Sequence, residues 1–266
     1  MRRRIGQVLR LGVSASQLAL VKGSRWGSSA ELLDQCALDP AAPLEAIAPA
    51  LHALLDSGDF SGWPVAVVVA DDLARLWQVT PPANASRAAD LEAAAALRFH
   101  SLYGDGPSNW AIAADWDPVR PFIAAALPRA LTGMLEQAAV DKKMSIVQLV
   151  PHFVAAWNRW QGQVRAGSWF GVLHEGVLTA GVTQGRRVVA VRAFAVPAHA
   201  DSMWLAGQLN REALLLGVEA PDALTLCGSV PSAWNRQDGP LACTVLGSHD
   251  SDRSPAERLA LAGAAA

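Results

Sequence analysis

The second half of the chain alternates short apolar runs with tight polar turns. Two dipeptides, Glu175-Gly176 and Gln184-Gly185, separate the runs, and glycine in the second position tolerates the positive φ of a hairpin turn. The pattern predicts a three-stranded ribbon within residues 168–197, with strands at Trp169–Leu173, Val177–Val182 and Val188–Phe194. A helical pattern near Ser202–Leu216 and an apolar run at Leu224–Cys227 follow, so the predicted order is β-β-β-α-β.

The first half of the chain begins with a similar hairpin. Its apolar segments are Ile5–Gly12 and Gln17–Val21. One apolar stripe predicts a helix over Pro43–Asp56, kinked at Pro49. The continuous apolar run Pro64–Ala70 is typical of a strand buried on both faces. Because both halves begin with a hairpin and continue with a helix and a strand, the order indicates a duplicated unit.

Further elements are predicted between the two halves and at the end of the chain. They are a strand at Leu73–Val79, a helix capped by Ser86 with Leu91, Ala95, Phe99 and Leu102 on its apolar face, strands at Trp110–Trp116 and Phe122–Leu127, a helix from Pro128 to about Val140, a strand at Ser145–Val150, a helix beginning at Pro151, and a last strand at Leu241–Leu246. Periodicity breaks at Gln161–Gly167, which predicts a domain boundary. We therefore expect a first domain over residues 1–165 with an insertion near 79–127, a second domain over 166–248, and a disordered tail over 249–266.

Composition narrows the class of protein. Hydrophobic residues make up 52% of the 266 residues and charged residues 17%, which is typical of an ordered globular chain. A net charge of −2 leaves no basic field for nucleic acid, so no nucleic-acid partner is expected. Three widely spaced cysteines indicate reduced thiols in a cytosolic protein. The start, MRRRIGQVLRLGV, is interpreted as a strand rather than a signal peptide, and no apolar stretch approaches the roughly 18 residues of a membrane span.

Few residues carry a recognisable chemical motif. The chain has no Walker A loop, no H-E-x-x-H, no G-x-S-x-G and no metal-spaced cysteine or histidine pair. Gly104-x-Gly106 is interpreted as a turn, because it follows a helix and lacks the third glycine of a dinucleotide loop. Asp71-Asp72 fits paired carboxylates for metal or acid–base chemistry, but a solvated turn is the preferred interpretation. His174, in a hairpin turn, is predicted to be exposed to solvent.

Four segments together resemble an actin-like family. Leu9–Val21 (LRLGVSASQLALV) looks like the first phosphate-loop hairpin of the PilM and FtsA branch, where the family has D-x-G-x-x-x-x-K. Pro64–Thr80 is similar to the strand pair before the inserted subdomain of PilM and GspL proteins, and Trp169–Phe194 resembles the second phosphate hairpin. Leu226-Cys227-Gly228-Ser229 lies where the family has an L-x-G-G adenosine loop. The resemblance, over most of residues 5–230, implies an α/β protein with mixed sheets and the actin-like (ASKHA) ATPase fold: two RNase H-like subdomains, the second truncated, and a small subdomain inserted in the first.

The candidate phosphate loops depart from the family pattern. Gly12 and Ser14 fit the first loop, but Arg10 replaces the aspartate and Gln17 replaces the lysine. The second hairpin lacks an aspartate, and only Gly228 of the two glycines remains in the third loop. Phosphate binding requires presented backbone amides and a carboxylate that positions Mg²⁺; Arg10 could contact a phosphate but cannot replace that carboxylate. The sequence therefore predicts a pseudo-ATPase, a degenerate member that binds no cofactor or metal and catalyses no reaction.

Similarity to PilM and to the cytoplasmic part of GspL implies a function in assembly. The protein would be a cytoplasmic scaffold of a type IV pilus or type II secretion machine, held at the inner membrane by its partners. Those partners would be a bitopic inner-membrane protein (PilN-like), bound through its N-terminal segment, and an assembly ATPase. The peptide groove is expected near the inserted subdomain, with Trp77, Phe99 and Trp110 as apolar anchors among the ten tryptophans and six phenylalanines of the chain.

Two alternatives remain open from the sequence. One is an active ASKHA-type ATPase or small-molecule kinase, in which Asp71, Asp72 or Asp115 would supply the missing carboxylates. The other is an α/β domain with no link to pilus or secretion assembly.

Overall fold

The structure, a computed structural model, describes residues 6–24, 29–83, 85, 87–165, 167–235, 241–247 and 253–263. The chain groups into two compact units, each built from segments that are distant in sequence. Unit 1 comprises Met1–Ala74, Leu127–Arg159 and Asp250–Ala266. Unit 2 comprises Arg75–Ala126 and Trp160–His249.

Thirteen strands and six α-helices lie within the described residues. The strands are β1 (Gln7–Val13), β2 (Gln17–Ser24), β3 (Ala30–Ala37), β4 (Pro64–Val69), β5 (Arg75–Val79), β6 (Trp110–Ala114), β7 (Phe122–Pro128), β8 (Ser145–Pro151), β9 (Trp169–His174), β10 (Val177–Gln184), β11 (Arg187–Ala195), β12 (Ala223–Gly228) and β13 (Ala242–Val245). The helices are α1 (Ile47–Leu55), α2 (Ala88–Tyr103), α3 (Arg129–Asp141), α4 (His152–Trp160), α5 (Ser202–Leu216) and α6 (Pro255–Leu261).

Unit 1 is organised around a five-stranded mixed sheet of order β3-β2-β1-β4-β8. β1, β2 and β3 are antiparallel neighbours, whereas β4 and β8 run parallel to β1. Every residue of β4 is buried, as its continuous apolar sequence predicts. Leu11, Val65 and Val67 on one face line an apolar gap with side chains of α1 and α3. Alternate positions face the other side, where Val68 packs against α4 and α6.

Unit 2 contains a second sheet with the same order, β11-β10-β9-β12-β13. Its first three strands form the predicted antiparallel ribbon, and β12 and β13 run parallel to β9. Glu175 and Gly176 both have positive φ, 44° and 75°, which suits a type I′ hairpin turn. Helix α5 buries Leu205 and Leu209 against one face of this sheet. The repeated order confirms the prediction of a duplicated unit, and with β3 the first half has the same β-β-β-α-β arrangement as the second.

Unit 2 also holds a three-stranded sheet of order β5-β7-β6. Helix α2 covers one of its faces, and Leu91, Ala95 and Phe99 are buried there as predicted. Leu102, predicted for the same face, is instead exposed because it lies in the last turn of the helix. The predicted cap Ser86 lies outside the described residues; Arg87 occupies the N-cap position and makes no side-chain capping bond.

Several local predictions need correction. Strand β3 was not predicted, because its sequence AELLDQCA has no clear alternation of apolar and polar residues. Pro49 does not kink a longer helix: α1 begins only at Ile47, so Pro49 lies in its first turn, where a missing N–H costs no helical bond. The second ribbon turn is Gly185-Arg186, one residue later than predicted.

The prediction of a disordered C-terminal tail is wrong for helix α6. Ser254 caps this helix by accepting a hydrogen bond from the Glu257 N–H at 3.1 Å, and Pro255 occupies its first turn. Ala256, Leu259 and Ala260 are buried. The sequence S-P-A-E is a capping-box pattern that predicts a helix start, and the alanine-rich composition masked it.

Two further observations bear on chemistry and membrane association. The three cysteines are free thiols, and burial raises the pKa of Cys243 to about 11. None of the helices in the described ranges is both long and apolar enough to cross a membrane.

Candidate functional site

In the first candidate phosphate hairpin, the Ser14 side chain makes hydrogen bonds within the turn between β1 and β2. The buried Ser14 hydroxyl accepts hydrogen bonds from the backbone N–H groups of Gln17 at 3.1 Å and Ser16 at 3.3 Å. The backbone N–H of Ser14 donates to the Gln17 carbonyl oxygen at 3.0 Å. A phosphate cradle needs backbone N–H groups that point at the ligand. Here, three N–H groups of the turn are engaged within the turn itself.

Helix α6 packs directly against Gly12, the residue that matches the glycine of the D-x-G-x-x-x-x-K pattern. A Cβ atom at this position would overlap the backbone carbonyl oxygen of Ala256 and lie 2.8 Å from the backbone nitrogen of Ala260. Only glycine therefore lets α6 lie directly on β1. The requirement for glycine here comes from packing of a helix on a strand, not from the approach of a phosphate.

Arg10 extends away from the turn. Its buried guanidinium passes over Gly23, and Nη2 donates to the Ser24 carbonyl oxygen at 3.4 Å. Ser24 pairs with Gln7 at the open end of the hairpin, opposite the turn. Burial, and secondarily the positive charge of Arg159, lower the pKa of Arg10. Arg10 is therefore hydrogen-bonded to the backbone at the end of the hairpin opposite the candidate phosphate loop.

The second and third candidate loops meet at the end of β12. Gly228 has φ +94°, and a Cβ atom there would overlap the Leu173 carbonyl oxygen. The Ser229 N–H donates to that same oxygen at 2.8 Å. His174 is buried, contrary to prediction, and its Nε2 lies 3.5 Å from a carboxylate oxygen of Glu175. As in unit 1, the remaining glycine is explained by close backbone packing.

Asp71 is neither a solvated turn residue nor half of an exposed carboxylate pair. Its buried carboxylate accepts the Phe153 backbone N–H, at 3.0 and 3.1 Å to its two oxygens. This places negative charge at the N-terminal end of α4, where free N–H groups favour it. Asp72 is exposed. Within the described ranges, no three His, Cys, Asp or Glu side chains cluster closely enough to hold a metal ion.

The predicted peptide anchors come together in one aromatic cluster between the small sheet and α2. The ring centroids of Trp77 and Phe99 are 5.2 Å apart, and those of Phe99 and Trp110 are 5.3 Å apart. Trp77 is 2% exposed and Phe99 is 0% exposed, so both belong to the core. Their prediction as contact residues is wrong, because apolar packing against α2 removes them from the surface. Trp110, on the edge strand β6, remains half-exposed.

Arg75 packs over the half-exposed rings of this aromatic cluster. The Arg75 guanidinium carbon lies 5.3 Å from the Trp110 ring centroid and 5.7 Å from that of Tyr103, both within cation–π range. Tyr103 donates to the Leu76 carbonyl oxygen at 3.0 Å, and burial raises its pKa. The sequence placed Arg75 and Tyr103 within the groove-lining ranges Leu73–Pro82 and Leu91–Tyr103 but did not single them out, because they are 28 positions apart and meet only when α2 folds onto the small sheet.

The loop between β6 and β7 is joined to β11 by an ion pair. Arg187 Nη1 lies 3.0 Å from Asp117 Oδ2, and Arg187 Nη2 donates to the Pro121 carbonyl oxygen at 3.3 Å. The other Asp117 oxygen accepts the N–H groups of Val119 and Arg120. Those backbone bonds, with a smaller effect of Arg187, lower the pKa of Asp117.

Gly12→Ala is expected to reduce the free energy of unfolding by about 1–3 kcal/mol, the usual cost of overpacking. The added Cβ meets the backbone of α6, which has no flexible end to move aside. Gly133→Ala is the control, because Gly133 lies in α3 with open space around it and should gain about 0.5–1 kcal/mol. Urea unfolding measures both. Equal stabilisation by the two substitutions would contradict the packing role of Gly12.

Asp117→Asn is expected to lower stability at neutral pH and to lose this effect in acid. Because the folded state depresses the pKa of Asp117, ionised Asp117 stabilises the fold above its ordinary pKa of about 3.9. That contribution disappears as the pH falls through the lower, folded-state pKa. Urea unfolding between neutral pH and about pH 3 should show the two proteins converging. Asp115→Asn is the control, because it removes a negative charge from the same loop but leaves the Asp117–Arg187 ion pair in place. If Asp115→Asn reduced the free energy of unfolding as much as Asp117→Asn, with the same pH dependence, the stabilising role of Asp117 would be contradicted.

Comparison with known proteins identifies the fold. No family model matches the chain, and no curated protein sequence matches it. Three solved structures are similar over nearly their whole lengths. A Bacteroides thetaiotaomicron protein with actin-like ATPase fold and unknown function gives a TM-score of 0.65 at 11% identity, covering 97% of this chain and 95% of that one.

The other two structures come from assembly systems. The PilM–PilN type IV pilus biogenesis complex gives a TM-score of 0.62 at 14% identity, covering 98% of this chain and 97% of the matched chain. The cytoplasmic domain of EpsL, an inner-membrane component of the type II secretion system of Vibrio cholerae, gives 0.58 at 11% identity, covering 96% and 92%. Together with the repeated sheet order, these likenesses confirm the predicted fold class: the chain has the actin-like ATPase fold.

Proposed function

We propose that this chain is a non-hydrolysing actin-like scaffold of a type IV pilus or type II secretion-like assembly. In this function it binds a short segment of a bitopic inner-membrane partner. The observation that carries the proposal is that the candidate phosphate loops are engaged in internal packing. The likeness to the PilM–PilN complex and to the EpsL cytoplasmic domain supports the choice of assembly system.

Phosphate binding would require open space at positions that are filled in this fold. Gly12 is covered by α6, Gly228 lies on the Leu173 carbonyl, and the Ser14 hydroxyl occupies N–H groups of the first turn. Asp71, the buried carboxylate at the end of β4, is engaged by α4. A bound nucleotide would have to break several of these contacts, each of which stabilises the folded chain.

The surface that fits a peptide partner is the edge of the small sheet. Among the described residues β6 is an edge strand of this sheet, and backbone N–H and C=O groups along such an edge can pair with an extended peptide as a further strand. Trp110 begins β6, and the Arg75 guanidinium, which reaches across from β5, places a positive charge over the Trp110 ring. Of the three predicted anchors we therefore retain Trp110 and add Arg75, while Trp77 and Phe99 pack beneath them in the core.

ATP–Mg²⁺ is expected to leave the melting temperature unchanged. A ligand at 100 times its Kd stabilises the native state by about 2.7 kcal/mol, which for a chain of this size raises the melting temperature by roughly 5–10 °C. Differential scanning fluorimetry with ATP–Mg²⁺, ADP–Mg²⁺ and Mg²⁺ alone makes the measurement. A rise specific to the nucleotides would contradict the conclusion that internal packing closes the phosphate loops, and would favour the alternative of an active ATPase or kinase.

Trp110→Ala is expected to weaken peptide binding at least tenfold, since a central aromatic contact is worth more than about 1.4 kcal/mol. The probe is a labelled peptide of the N-terminal cytoplasmic segment of a candidate bitopic partner, and fluorescence anisotropy measures its affinity. Trp157→Ala, which removes a half-buried tryptophan of α4, is the matched control and should leave the affinity unchanged. Equal affinity of the wild-type chain and well-folded Trp110→Ala would exclude this edge as the binding surface.

A further inference from the structure

We propose that the outward face of α5 pairs with the same face of a second copy of this chain. The two helices would lie antiparallel, related by a two-fold axis that crosses between residues 208 and 209. This proposal uses a different surface from the peptide edge and does not rest on the proposed function.

The outward face carries apolar side chains that the fold leaves uncovered. Met203 is 64% exposed and Leu214 is 83% exposed, although both belong to a helix whose opposite face fills the core of unit 2. Gly207 and Asn210 lie between them on the same exposed stripe. Their spacing of four, three and four residues is the spacing of a coiled-coil seam, in which each position faces the neighbouring helix.

The stripe is complementary to itself in one orientation. In the antiparallel pair, Met203 lies opposite Leu214 of the second copy, and Gly207 lies opposite Asn210. Large apolar residues meet at both ends, and the amide of Asn210 faces the space left by glycine. No atom lies within 4 Å of a Cβ placed on Gly207, so the helices can approach closely there. A parallel pair would instead face glycine with glycine and leave a gap.

Charge favours a second copy over a membrane surface. Arg211 is the charged residue at the border of the stripe, whereas helices that lie in a membrane surface carry several basic residues on their polar face. In the antiparallel pair, Arg211 comes level with residue 206 of the second copy, and the half-buried Trp204 of that copy lies about 3 Å further along the axis, within reach of a long arginine side chain. The acidic Glu212 is on the buried side, paired with Arg192 at 2.9 Å.

The size of the surface sets the expected strength. α5 has 15 residues and is about 22 Å long. One helix pair of this length buries less than the roughly 1,200 Å² at which standard-size interfaces begin, so the dimer is weak. We expect a Kd of roughly tens to hundreds of micromolar, which lets copies associate where they are concentrated on a common assembly.

Sedimentation equilibrium of the full chain tests the proposal. Protein concentrations from about 5 µM to 1 mM cover values below and above the expected Kd. The wild-type chain should show a monomer–dimer equilibrium. Met203→Lys and Leu214→Glu should each weaken dimerisation at least tenfold, because each places a charge against an apolar side chain twice per dimer. An equimolar mixture of the two variants, and the double variant Met203→Lys/Leu214→Glu, should recover association, because lysine then faces glutamate.

Leu97→Glu on α2 is the matched control, since Leu97 is 72% exposed and lies outside α5. It should dimerise like the wild-type chain. Circular dichroism checks that each variant is folded, as expected for exposed positions. The proposal is overturned if the wild-type chain stays monomeric at the highest concentration, if Leu214→Glu or Met203→Lys dimerises normally, or if the mixture and the double variant associate no better than the single variants.

Discussion

The contact between helix α6 and the bare backbone of Gly12 is the constraint on which unit 1 depends. The helix lies across the hairpin of β1 and β2, and its buried residues at this contact, Ala256 and Ala260, are small. Because both sides of the contact are backbone, an added atom cannot be accommodated by a change of rotamer. The close approach therefore ties the C-terminal residues of the chain to its first strand.

The same physical principle operates in unit 2. Gly228 allows the end of β12 to reach the Leu173 carbonyl, which then also accepts the Ser229 N–H. Glycines that would serve phosphate binding in an actin-like ATPase are thus required here by internal packing. This is why the proposed function places the activity of the fold on its surfaces, and why the half-exposed edge at Trp110 and the outward face of α5 are the regions assigned to partners.

Much of the fold could be predicted because its signals are local. Each of these signals comes from a single strand or helix that packs against one apolar core. They are the alternating runs and glycine turn of the ribbon, the continuous apolar sequence of β4, and the helical stripe of α5. Repetition of the same order in both halves indicated a duplicated unit, and the resemblance of four segments to an actin-like family implied the fold. β3 escaped prediction because its half-exposed, irregular sequence contains no such signal, and α6 escaped because its capping box was set against an alanine-rich background.

The order of elements, the two related halves and the lack of an aspartate and a lysine at the expected positions of the first hairpin can all be read from the amino-acid sequence. How each candidate residue is used follows from contacts in the folded chain. The tertiary structure buried Trp77 and Phe99, directed Arg10 to Ser24, bound Asp71 to the N-terminus of α4 and brought Arg75 onto Trp110. The two kinds of feature differ in how far apart along the chain the residues that determine them lie. Periodicity along a strand or helix depends on neighbours in sequence, whereas burial, ion pairing and close backbone contact depend on segments that meet only in the folded chain.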